Sequence, residues 1–93
     1  MPPVLENWRD FFAQWPSDIH RRGIVVTSFG EQIPFSAFWT SSNLLFLERQ
    51  TPDSLGARTI ILAFTQITAL KIVDVVKVKS FQPLGFDGPA AKY

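Results

Sequence analysis

Cysteine is absent from this chain, which excludes a disulfide framework and any thiolate metal site. Histidine is nearly absent: His20 stands alone, with no second ligand at metal-binding spacing. Charge of one sign is lacking too. Nine Lys and Arg stand against eight Asp and Glu, a formal +1, so the strong positive field of many nucleic-acid binders is missing. No run approaches the roughly 20 apolar residues that cross a bilayer, and residues 1–7 lack the basic end and apolar stretch of a secretory leader. The expectation is a cytoplasmic protein. Gly30, Gly56, Gly85 and Gly88 fall in separate turns, so no phosphate-cradling loop is present. A nucleophile needs a base within hydrogen-bond reach, and one His with scattered serines does not supply the pair. Glu6 with Asp10 reads as the wet face of a helix rather than an acid–base dyad. No enzyme activity, cofactor or metal is expected.

What the chain does have is apolar surface. Hydrophobic residues make up 46% of its 93 positions, with three Trp and nine Phe, which is more than one small core hides easily. The surplus fits subunit contacts, or alternatively a densely aromatic core in a monomer. Val4, Leu5, Trp8, Phe11, Phe12 and Trp15 share one face at helical spacing, and Pro16 pushes Trp15 towards extended geometry, so the spacing predicts a helix over residues 4–15. Five short apolar runs follow within residues 23–73. The first ends in Phe29-Gly30-Glu31-Gln32, where Gly30 supplies a tight turn. The second, residues 33–39, carries Pro34 and so belongs at a strand start or an edge. Residues 44–47 are continuously apolar, residues 58–64 form a fourth run, and residues 69–73 a fifth. Residues 74–79 continue the alternation and would extend the last strand or add to a neighbouring edge. The expected organisation is a helix and basic linker over 1–22, a barrel over 23–79 and a loosely ordered tail over 80–93.

Phe29-Gly30-Glu31 is similar to the Asp-Gly-Arg turn of the Sm-like (LSm and Hfq) family, and Phe38 to Leu47, with Asn43 before the apolar run, resembles that family's Phe-Asp-x-x-Met-Asn-Leu-Val-Leu stretch. Residues 60–72 resemble its second motif in apolar spacing. The resemblance covers residues 23–73 and implies an all-β fold with one N-terminal α-helix: a five-stranded, strongly bent antiparallel Sm-like (SH3-like) barrel. It also implies a homo-oligomeric ring in which the fourth strand pairs with a neighbour's fifth, making Ile60, Ile61, Leu62, Phe64, Leu70 and Ile72 interface candidates. An unpaired strand is a template for such pairing on physical grounds as well.

Single-stranded RNA binding, or RNA-chaperone work, is the activity the resemblance implies, with Asn43, Trp39, Lys71, His20, Arg21 and Arg22 as candidate contacts. Asn43 can bond a base edge, Trp39 can stack on a base, and a ring multiplies a weak basic patch around its axis. Departures from the family pattern are equally plain. Trp39 stands where the family has Asp, Ser42 where it has a stacking side chain, Ala63-Phe64 where it has Arg-Gly, and Phe64-Thr65 where the bacterial branch has Lys-His. The alternative is a homo-oligomeric protein-interaction scaffold that binds no nucleic acid.

Overall fold

The computed structural model describes residues 7–86. Helix α1 spans Trp8–Ala13, capped by Asn7, whose side chain accepts from the Asp10 N–H at 3.0 Å. It is shorter than the expected residues 4–15. Residues 4–6 lie outside the described residues, and Trp15 leaves the helix ahead of Pro16, its indole Nε1 donating to the Ile19 carbonyl at 3.0 Å.

Six strands follow: β1 (Gly23–Thr27), β2 (Gln32–Phe35), β3 (Ala37–Thr40), β4 (Leu44–Glu48), β5 (Thr59–Ala63) and β6 (Ile67–Lys71). They form two antiparallel three-stranded sheets, in the orders β2-β1-β6 and β3-β4-β5. This corrects the expected five-stranded closed barrel, and two local causes account for it. Ile33 and Phe35 point inward, but the next buried side chain is Phe38, three positions on, so the period-two alternation slips by one residue at Ser36. The single second strand expected over residues 33–39 therefore divides there, one half in each sheet. Between β5 and β6 a 3-10 turn, Phe64–Gln66, intervenes, and no residue in it has the positive φ that a two-residue hairpin turn requires. The two strands accordingly do not pair with each other, and each ends a sheet.

The core lies between the sheets. Val25, Ile33 and Phe35 meet Phe38, Leu45 and Leu47 there, and Phe64 and Ile67 close one side. Phe12 plugs the remaining opening, with its ring 5.0 Å from Phe38 and 5.8 Å from Trp15. Phe12 thus touches both sheets, through Phe35 and Phe38, and Trp8 and Phe11 of the same helix also pack against the core. Thr27 is the single buried polar side chain among the described residues, and its Oγ1 accepts from the N–H groups of Phe29 and Glu31 while Gly30 turns at φ 81°. Gly23 permits the close passage of β6: a Cβ there would sit 2.6 Å from the Lys71 carbonyl oxygen.

Residues 74–79 do not extend the last strand. The chain leaves β6 at Lys71, and Arg22 holds Asp74 through two hydrogen bonds. A 3-10 segment, Val78–Leu84, then lies against the helix, with Phe81 stacked on Phe11 at 6.1 Å and the Ser80 hydroxyl donating to Asp18 at 2.6 Å. Of the tail expected over residues 80–93, residues 80–86 are described and include this 3-10 segment, and residues 87–93 lie outside the described residues. No helix among the described residues is long and apolar enough to cross a membrane.

Phe12→Ala removes the side chain that joins helix to sheets, and by analogy with other buried aromatics it should cost about 3–5 kcal/mol. Urea denaturation of the two proteins measures this. A loss below about 1 kcal/mol would show that the helix is not integral to the core.

Candidate functional site

Strands β5 and β6 bring most of the expected interface residues to two sheet ends. Ile60 and Leu62 on β5, and Leu70 and Ile72 at the end of β6, pack on the core yet remain partly exposed, and no strand lies beyond theirs among the described residues. Their outer backbone groups are open to a further strand. Two interface candidates sit elsewhere. Phe64 is buried against Phe12, and Ile61, 58% exposed, points to the opposite face of its sheet.

That opposite face is apolar. Register places Trp39, Phe46 and Ile61 side by side across β3, β4 and β5, with Leu44 opposite Ala63 in the next row. Trp39 is 54% exposed and meets Phe46 edge to face at 5.4 Å. Glu48, flanked by Ala37 and Thr59, is the one charged residue at the end of this array.

Asn43 is exposed in the β3–β4 turn, where its backbone carbonyl accepts from the Phe64 N–H at 3.2 Å. It lines an open groove of ≈ 810 Å³ between this turn, the β5–β6 connection and the helix, together with Ser42, Thr65, Asn7, Arg9 and Trp8. Arg9 contacts Asp10 at 3.4 Å. Sequence reasoning passed over Arg9 and Trp8 here, because periodicity assigned the first to the wet helix face and the second to the core seam.

The other RNA candidates are not gathered at this groove. Lys71 Nζ donates to Gln32 Oε1 at 3.1 Å on the β2-β1-β6 sheet. The Arg21 guanidinium lies 4.8 Å from the Phe38 ring centre, a cation–π contact, and Arg22 is held by Asp74. His20 is exposed next to them. Asp74 is held below its ordinary 3.8, first by the Arg22 hydrogen bonds, with the charges of Arg22 and His20 adding and desolvation opposing. Arg22 is raised by the same hydrogen bonds. Asp53, in the β4–β5 loop, is also lowered, because its carboxylate accepts from the N–H groups of Ala57 (2.8 Å) and Leu55 (2.9 Å).

Among the described residues no group of three His, Cys, Asp or Glu side chains could hold a metal ion. Comparison with known proteins finds no matching family model, no matching curated protein and no matching solved structure.

Both lowered carboxylates have folded-state values below the unfolded one. Whatever they add to stability is present above the ordinary carboxylate range and is lost as pH falls through their lowered values. Titration followed by carboxyl-carbon NMR should therefore show Asp53 and Asp74 ionising below 3.8. Arg22→Ala should return Asp74 towards its ordinary value and leave Asp53 unmoved. An Asp74 that does not respond to Arg22→Ala would show that the pair is not formed in solution.

Proposed function

We propose that copies of this chain join edge to edge, β5 of one against β6 of the next, into a closed homo-oligomeric ring that works as a protein-interaction scaffold. One observation carries the reading: two terminal strands, both unpaired on one side among the described residues, each bear an apolar pair that touches the core and is only partly covered. A head-to-tail contact of this kind leaves no bare edge once the ring closes. Covering a Leu or Ile fully is worth roughly 1.5–3 kcal/mol, so the part of Ile60, Leu62, Leu70 and Ile72 still exposed, at most about a third of each, supplies no more than about 2–4 kcal/mol per contact. Association costs at least about 4 kcal/mol, so the four side chains alone do not offset it. The strand hydrogen bonds and further apolar contacts must supply the rest. The ring would present the Trp39–Phe46–Ile61 array as its free surface.

Single-stranded RNA binding is the second reading, and what favours it is the groove that sets Asn43, Ser42 and Thr65 beside Arg9 and Trp8. Amides and hydroxyls can bond base edges there, and the indole can stack. Against it, Arg21, Arg22 and Lys71 are engaged within the fold, and Trp39 belongs to another face.

Light scattering at micromolar protein should give a mass of several chains, whereas the mass of one chain would overturn the ring. Labelled uridine-rich and adenine-rich oligonucleotides at two salt concentrations separate the readings. The scaffold predicts no uptake at micromolar protein. Binding that weakens as salt rises and falls further in Asn43→Ala would establish the RNA reading instead.

A further inference from the structure

An apolar socket of ≈ 320 Å³ opens beside the unpaired side of β6. Its walls are Trp8 and Phe11 of the helix, Leu70 and Ile72, and Val78, Phe81 and Phe86 of the C-terminal segment. None carries a charge. The segment is held in place by stacking of Phe81 on Phe11, by Phe86 against Phe81 at 6.2 Å, and by the Ser80–Asp18 and Arg22–Asp74 ties. It leaves Val78 61% and Phe86 47% exposed at the rim.

We infer that this socket seats Ile60 and Leu62 of a second copy, so that assembly depends on the C-terminal segment as well as on the strand edge. The inference rests on the edge-to-edge reading above and names what the partner inserts. A strand added beside β6 points alternate side chains to the face that Leu70 and Ile72 occupy, about 6.6 Å apart along the strand. The occupant must therefore be a strand with two apolar residues at positions i and i+2 and no charge between them. Thr59–Ala63 meets that description, and it ends a sheet with its own outer side unpaired. The other terminal strands do not meet it. β2 carries Pro34, which has no N–H to offer, and the inward residues of β3 include only Phe38, already buried. The socket supplies the contacts by which the four edge side chains alone fall short.

The chain has no cysteine, so single introduced thiols report without background. Leu62→Cys and Val78→Cys proteins, mixed and oxidised, should give a disulfide-linked dimer. Ile61→Cys mixed with Val78→Cys should not, because Ile61 faces the other way. Val78→Asp, altering an exposed rim position, should raise the concentration at which the assembly dissociates by at least about tenfold, since an unpaired carboxylate would be buried on docking, while its melting temperature as a monomer stays unchanged. If the unmodified chain itself has the mass of one chain, the edge reading fails and the socket with it. If the unmodified chain assembles but Val78→Asp assembles equally well, or Leu62 cross-links no better than Ile61, the socket assignment is overturned and the edge reading stands.

Discussion

The architecture depends on a one-residue slip of alternation between Phe35 and Phe38. Strict period two from Ile33 would place residue 37 in the core, but residue 37 is Ala, half buried, and the large ring is at 38. The chain resolves the conflict by turning at Ser36, whose N–H and hydroxyl both reach the Glu48 carbonyl. From that point it joins a different sheet. Every later feature follows from this turn: β3 recruits β4 and β5, β6 returns to β1, and Phe12 fills the opening between the two sheets. Together with the 3-10 turn Phe64–Gln66, which keeps β5 and β6 from pairing, the turn at Ser36 leaves each of them as a sheet terminus with its apolar pair partly covered.

The basic residues do structural work in this arrangement. Arg22 fastens the stretch after β6 through Asp74, Arg21 covers the Phe38 ring, and Lys71 reaches across to Gln32. These contacts are exposed, so each is worth little alone in water. Their combined effect is geometric: Arg22–Asp74 directs the chain away from the β6 edge before Val78, which leaves that edge open and sets the C-terminal segment against the helix. Three of the nine basic residues are thereby engaged within the fold.

The sequence was most readable where one side chain decides locally. Gly30 announced its turn and Pro34 its place on an edge strand, whereas the continuous apolar run 44–47 suggested a strand covered on both faces and only Leu45 and Leu47 are buried. Alternation failed where two patterns compete. In residues 74–79, Val76 and Val78 alternate with lysines as a strand would, yet pairing needs an edge, and Arg22–Asp74 draws the chain off the only adjacent one. The fold of Val78–Leu84 was hidden because its anchor, Phe11, is about seventy positions away, and no local pattern encodes a stacking partner at that distance. At the candidate site, the partly exposed pairs on β5 and β6 were legible as apolar runs, whereas the groove at Asn43 was not, since it exists only once the helix packs beside the β5–β6 connection.

Two of the apolar surfaces among the described residues differ in what they can bind. The Trp39–Phe46–Ile61 array is paired on both sides of its middle strand and offers only side-chain contact. The β6 side combines an open backbone with a concave, uncharged wall. A partner there gains directional hydrogen bonds that fix register, in addition to apolar burial. Directional bonding gives one geometry, and a single repeated geometry is the condition for closure into a ring rather than disordered association. The Trp39–Phe46–Ile61 array lacks that constraint, so it suits contacts that tolerate several partners. Under the proposed edge-to-edge reading, the apolar excess of this short chain would divide into a portion that specifies assembly and a portion that the assembly displays.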